Sequence, residues 1–158
     1  MELSGFLGFQ SEREHLWNAI YDTNSWLEAI PAAERCEQIE DNVFEMVVNF
    51  DLPVLKGSQT VTIIFSEAAM HERNCFFLEN GMIKSAFGSF HIQSPHEALP
   101  EDGEDYPAGT NCVLGYRLEL DTGNTLFNAA LEGLKPKLKQ GIEKILLRLE
   151  APALLRGV

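Results

Sequence analysis

Apolar residues recur at every second position in several segments, and this alternation constrains the fold more than any other feature of the sequence. It is found at residues 2–9, 43–52, 58–66, 73–93 and 110–121. A period of two places successive side chains on opposite faces of a β-strand. The pair Asn80-Gly81 favours a two-residue hairpin turn, because both residues tolerate positive φ. The pattern predicts an antiparallel sheet of six to seven strands with one face covered.

Two short helices are predicted after the first strand. Ser11 is followed three residues later by Glu14, which is the capping-box pattern of a helix start. Thr23 is placed to cap the second helix, and Pro31 ends it. The region from 11 to 30 therefore separates the first strand from the rest of the sheet.

A long helix is predicted over residues 124–150, where apolar residues recur every three or four positions. Asn124 or Thr122 is suited to cap its start. Pro136 lies inside the pattern, so we expect a kink or break near Gly133–Pro136. The apolar stripe comprises Leu126, Ala130, Leu134, Leu138, Ile142, Ile145 and Leu149.

The order of elements predicts an α+β fold in which a curved sheet wraps around the long C-terminal helix. The length of 158 residues suits one domain over 1–158. A net charge of −12 argues against nucleic acid and anionic lipid as partners. No apolar run is long enough to span a membrane. Three cysteines and no secretory signal predict a cytoplasmic location.

Side-chain parity predicts which residues face the terminal helix across the sheet. The inward set that would line a ligand cavity is Phe44, Met46, Val48, Gln59, Val61, Ile63, Phe65, Phe77, Phe90, Leu114 and Tyr116. Leu134 and Leu138 would complete this lining from the helix. If Tyr116 is buried, its hydroxyl needs a partner, either a ligand carbonyl or a backbone group.

The hairpin turn at Asn80-Gly81 predicts that Phe77 pairs with Lys84 and Cys75 with Ala86. Glu79 and Lys84 then lie on the concave side, either as a solvated pair at the turn or as a ligand anchor at the cavity mouth. The same parity sends His91 outward, away from the cavity.

The sequence predicts no catalytic residue, metal site or cofactor. It contains no G-x-S-x-G nucleophile motif. It also lacks the H-E-x-x-H spacing of a zinc site and a glycine-rich phosphate loop.

Several short motifs, taken in order, resemble the START-like (SRPBCC) helix-grip superfamily and, within it, the CoxG family of carbon monoxide dehydrogenase accessory proteins. They are Met1–Gly5, Trp17, Trp26, Ile30–Glu34, Phe44-Glu45, Leu55–Gly57, Gly81, Gly88 and Gly109-Thr110. The resemblance implies a helix-grip fold with a cavity between sheet and helix. It further implies an accessory role toward a carbon monoxide dehydrogenase.

The leading hypothesis is a non-enzymatic module that binds an apolar or aromatic molecule, lipid- or quinone-like, because the inward set is mostly apolar. A second hypothesis is a polyketide cyclase or dehydratase that uses Tyr116 with Glu79 or Lys84 as proton carriers. A third is an adaptor whose acidic surface binds a basic partner protein.

Overall fold

The alternating segments form strands of one antiparallel sheet. Two short helices follow its first strand, and two more helices follow its last strand. The computed structural model describes residues 1–52, 55–69, 72–77, 83–98 and 106–151. In this part of the chain the strands are β1 Glu2–Phe9, β2 Ala33–Glu40, β3 Val43–Leu52, β4 Leu55–Ala69, β5 Glu72–Phe77, β6 Ser85–Gln93 and β7 Cys112–Asp121. The helices are α1 Arg13–Ile20, α2 Thr23–Ala29, α3 Thr125–Gly133 and α4 Lys135–Leu147. The predicted α+β class is confirmed.

The strands lie in the order β1-β7-β6-β5-β4-β3-β2, so β1 and β2 are the edges of the described sheet. Alternation did not predict β2, whose sequence AERCEQIE is mostly exposed and charged. It is a strand because it pairs with β3, where Cys36 lies opposite Met46. Charged side chains are common on edge strands because they discourage pairing with other chains.

The predicted caps of the two short helices are wrong. The residue before α1 is Glu12, which makes no side-chain cap bond. Ser11 instead donates from its hydroxyl to the Glu150 carboxylate over 3.3 Å, so a tertiary contact replaces the local cap. At α2 the cap is Asp22, whose side chain accepts from the backbone N–H of Asn24, and Thr23 is the first helical residue.

The predicted long C-terminal helix is two helices, separated at Leu134 as the expected break implies. Pro136 lies in the first turn of α4. Backbone N–H groups in a first turn have no intrahelical acceptor, so a proline there costs no hydrogen bond. Asn124 caps α3 by accepting from the amides of Leu126 and Phe127, as predicted. The stripe is wrong at its start, because 79% of Leu126 is exposed.

The predicted register of the β5–β6 hairpin is wrong by two residues. Phe77 lies opposite Ala86, and Cys75 lies opposite Gly88. A shift by two keeps every side chain on its face, whereas a shift by one would reverse the faces. The predicted inward and outward sets of β6 are therefore retained: Phe90 and Ile92 are in the core, while His91 is not. The turn pair Asn80-Gly81 lies outside the described residues.

The core lies between the concave face of the sheet and the helices α1, α2 and the end of α4. Leu16 and Ile20 of α1 are fully buried there. So is Leu149, just beyond α4. None of the described helices combines the length and apolar character needed to cross a bilayer.

Candidate functional site

The residues predicted to line a cavity divide into two groups by burial. Core members with less than a tenth of their surface exposed are Phe44, Met46, Val61, Phe65, Phe90, Leu114 and Tyr116. Half-buried members are Val48, Gln59, Ile63, Leu134 and Leu138. The structure thus places the described members of the set in one layer, but the first group packs mainly into the core.

Lys84 does not have the strand partner predicted for it. Its pairing with Phe77 is replaced by the pairing of Phe77 with Ala86, because the hairpin register differs by two residues. Lys84 is exposed at the end of the sheet, and a Cβ added at Gly123 would lie 3.2 Å from the Lys84 Cβ. Glu79 and the side chain of Phe77 lie outside the described part of the structure.

Four partly exposed apolar side chains that border the core, two on the sheet and two on α4, are termed the apolar belt. Ile63 and Leu118 contribute to it from the sheet, and Leu138 and Ile142 contribute from α4. These side chains pack against the core cluster yet keep part of their surface accessible. An apolar ligand can therefore contact the belt without displacing fully buried side chains.

A cavity of about 630 Å³ lies at the same end of the sheet. Its lining includes Ala86 and Leu120, which lie opposite each other on β6 and β7. The rest of its lining is largely polar and comprises Met1, Glu2, Ser85, Phe87, Glu119, Asp121, Glu132 and Lys135. This volume is in the range of cavities that hold small organic ligands. A second cavity of about 290 Å³ lies at the opposite end, beside Phe9 and Glu150.

Neither of these two cavities is lined by a residue of the predicted set. Ala86 and Leu120 have the same parity as the inward residues Phe90 and Tyr116. The larger cavity therefore begins where the predicted lining ends, at the edge of the concave face.

A hydrogen bond between sheet and helix is the main polar feature beside the belt. The Tyr116 hydroxyl on β7 donates to Glu143 Oε1 on α4 over 2.7 Å. The bond passes over Gly5 of β1, where an added Cβ would lie 3.0 Å from both oxygen atoms. Glycine at this position therefore permits the close approach of helix and sheet.

Sequence reasoning expected a ligand carbonyl or a backbone group as the partner of Tyr116, and it missed Glu143. A signal was present: Glu143 precedes the buried Leu146 by three residues, which places both on one side of the helix. Glu143 is half-buried, so part of the residue remains accessible.

A buried cation is the second feature that sequence reasoning missed. Arg73 of β5 is 0% exposed and shares its face with the core residue Cys75. Its guanidinium lies 4.1 Å from the centre of the Trp17 ring and 5.8 Å from that of Phe65, and it also contacts the Tyr21 ring. Desolvation by burial lowers the pKa of Arg73 to about 9, which leaves it protonated at neutral pH.

Arg73 and Tyr116 lie in one cross-strand row of the concave face. Phe90 of β6 pairs with Arg73 on one side and with Tyr116 on the other. The guanidinium interacts with aromatic faces, which attract cations. The row thus combines a buried positive charge, an aromatic side chain and the Tyr116–Glu143 hydrogen bond.

The described thiols and imidazoles do not form a reaction centre. Burial raises the pKa of Cys75 to about 12 and that of Cys112 to about 11, so neither thiol is an activated nucleophile. His91 lies beside Gln93, with 3.0 Å between their side-chain nitrogen atoms, outside the core cluster. Among the described residues, no group of three or more His, Cys, Asp or Glu side chains is arranged to hold a metal ion.

Solved structures share this architecture over nearly the whole chain. A conserved protein from Geobacillus kaustophilus gives a TM-score of 0.75 at 11% identity, covering 98% of this chain and 95% of that one. A START superfamily protein from Mycobacterium smegmatis gives 0.63 at 13% identity, with coverages of 97% and 93%. The Zhui aromatase/cyclase from a Streptomyces species gives 0.67 at 15% identity, with coverages of 100% and 96%.

The chain has the same fold as these solved structures, one of which is a START superfamily protein. The predicted helix-grip architecture is confirmed at the level of the fold. No family profile matches the chain, and no curated protein matches its sequence. The finer resemblance to the CoxG family has no support from these comparisons.

Proposed function

We propose that this protein binds a hydrophobic small molecule between the concave face of the sheet and α4. The observation that carries the proposal is the half-buried apolar belt of Ile63, Leu118, Leu138 and Ile142, which lies at the same end of the sheet as the 630 Å³ cavity. Apolar surface that is accessible within a concave layer favours an apolar ligand, because its burial releases ordered water.

The predicted ligand set remains part of this proposal, with a division of roles. The half-buried members, such as Val48, Ile63 and Leu138, would contact the ligand. The core members, such as Phe44 and Phe65, would support them from behind. The fold shared with a START superfamily protein and an aromatase/cyclase is consistent with a cavity in this layer.

The test compares two leucine-to-glutamate variants in neighbouring helices. Leu138→Glu places a charge in the belt, whereas Leu126→Glu places one on an exposed side chain of α3. Binding of 2-naphthol, an uncharged aromatic probe, is measured by equilibrium dialysis, and circular dichroism confirms that both variants fold. We expect Leu138→Glu to weaken binding at least tenfold and Leu126→Glu to leave it unchanged. Equal affinities for wild type and Leu138→Glu, or no saturable binding by wild type, would contradict the proposal.

A second candidate function is a cyclase-like reaction in the same layer. Hydrogen-bonded Tyr116 and Glu143 are suited to pass a proton, and Arg73 lies in the same row. This pair replaces the predicted combination of Tyr116 with Glu79 or Lys84. Incubation with a linear polyketone, followed by mass spectrometry for loss of water, tests it, with Tyr116→Phe as the inactive control.

Two finer functions remain hypotheses without a structural observation in their favour. They are an accessory role toward a carbon monoxide dehydrogenase and an adaptor role in which the acidic surface binds a basic protein. Native mass spectrometry of the protein isolated from its own host distinguishes them from ligand binding, because a bound protein partner and a bound lipophile differ in mass.

A further inference from the structure

The direction of the Tyr116–Glu143 hydrogen bond restricts what a ligand can offer at this position. A tyrosine hydroxyl has one proton and can accept as well as donate, whereas a carboxylate only accepts. In the structure the Tyr116 hydroxyl donates to Glu143 Oε1. The hydroxyl proton of Tyr116 therefore points toward Glu143 on α4 and not toward the space proposed for the ligand.

The oxygen atoms of this pair consequently present acceptors to a ligand. A ligand carbonyl or ether oxygen placed beside them would meet only other acceptors, which is unfavourable in a partly buried site. A ligand hydroxyl would donate to Glu143 or to the Tyr116 oxygen, and hydrogen bonds to charged groups are stronger than neutral ones. The pair thus favours a donor over an acceptor.

The position of the pair fits this role. Glu143 is half-buried and follows Ile142, a member of the apolar belt. Tyr116 is only 4% exposed, so Glu143 is the more accessible residue of the pair. The missing side chain at Gly5 keeps the two oxygen atoms close, since a Cβ there would lie 3.0 Å from each.

We infer that the ligand is an apolar or aromatic molecule carrying a hydroxyl group, such as a phenol or an alcohol, and that Glu143 with Tyr116 receives this hydroxyl. This inference rests on the proposed binding function and narrows its ligand class. It also reverses the sequence-based expectation of a ligand carbonyl at Tyr116, because the Glu143 carboxylate already accepts the hydrogen bond that a ligand carbonyl would need.

The experiment uses two probes of similar shape: 2-naphthol, which can donate a hydrogen bond, and 2-methoxynaphthalene, which cannot. Equilibrium dialysis measures the affinity of the wild-type protein for each. One hydrogen bond to a charged acceptor corresponds to a preference of about tenfold or more. We therefore expect 2-naphthol to bind at least tenfold more tightly, although its methyl ether is the more apolar probe.

Two glutamate-to-glutamine variants test where the preference arises. In Glu143→Gln the amide can donate to Tyr116, which releases the tyrosine proton toward the ligand, so the preference for 2-naphthol should fall to threefold or less. Glu28→Gln changes an exposed glutamate of α2 and should leave the preference unchanged. Tyr116→Phe supplies an independent variant that keeps the ring and leaves Glu143 as the acceptor, so the preference should be retained.

The outcomes separate this inference from the function on which it rests. A naphthol preference that is lost in Glu143→Gln and kept in Glu28→Gln supports the inference. Equal affinity of the wild-type protein for both probes overturns it while leaving the binding function intact. A preference that survives in Glu143→Gln also overturns it. Absence of saturable binding of either probe overturns both proposals.

Discussion

Replacing Gly88 by alanine tests the β5–β6 packing on which the concave layer depends. Gly88 lies opposite Cys75, and a Cβ added to it would lie 2.5 Å from the Cys75 sulfur and 3.0 Å from Leu118 Cδ2. Both distances are shorter than an ordinary van der Waals contact. Cys75 is only 3% exposed, so its sulfur cannot move away without disturbing the core.

The expected cost follows from two opposing effects. Overpacking a core by one methyl group typically costs about 1–3 kcal/mol, whereas replacing glycine by alanine stabilises by about 0.4–1 kcal/mol through the unfolded chain. We therefore expect Gly88→Ala to lower the free energy of unfolding by about 1–2 kcal/mol. In a Cys75→Ala background the sulfur is absent, so the same substitution should cost little.

Urea unfolding followed by circular dichroism measures all four members of this double-mutant cycle. A coupling energy of about 1–2 kcal/mol between the two positions is expected, as for residues in direct contact. Gly141→Ala is the matched control: Gly141 lies within α4, and an added Cβ meets no atom within 4 Å. It should stabilise the protein by about 0.5–1 kcal/mol.

An equal cost of Gly88→Ala in both backgrounds would refute the reasoning. It would mean that the alanine methyl does not meet the sulfur. That result would be consistent with the register predicted from the sequence, in which Ala86 lies opposite Cys75 and Gly88 does not.

Three further predictions concern the core, the thiols and the chain ends. Leu149→Ala should lower the free energy of unfolding by about 2–5 kcal/mol, because Leu149 is 0% exposed. The control Leu126→Ala should change it by less than about 0.5 kcal/mol. Similar unfolding midpoints for the two variants would contradict this prediction. Ellman's reagent at pH 8 should label the half-buried Cys36 first, and the buried Cys75 and Cys112 only after unfolding. Burial raises the pKa of Cys75 to about 12 and that of Cys112 to about 11. Rapid labelling of all three thiols in the folded protein would count against this prediction. Glu150→Ala should lower the free energy of unfolding by about 1–2 kcal/mol, since its carboxylate accepts from the backbone N–H of Gln10 over 2.6 Å and from that of Ser11 over 3.2 Å. An unchanged denaturation midpoint would show that these bonds contribute nothing.

The apolar pattern of the sequence determined the sheet and the faces of its strands. Phe44 and Met46 alternate with partly exposed residues on β3 as their spacing predicts, because the period of two is a property of the strand itself. The break in the terminal helix was also predictable, since Pro136 excludes an uninterrupted helix for local steric reasons. Such features depend on neighbours along the chain.

Tertiary structure decided the remaining features, because each depends on residues that are distant in sequence. Ser11 is bound by Glu150 instead of capping α1, and β2 is a strand only because β3 lies beside it. The Tyr116–Glu143 bond joins a strand to a helix across Gly5, and no spacing rule relates those three positions. The alternation of β5 predicts that Arg73 faces inward, although arginine side chains are usually exposed. Only the packing of α1 against the sheet places aromatic rings beside its guanidinium group.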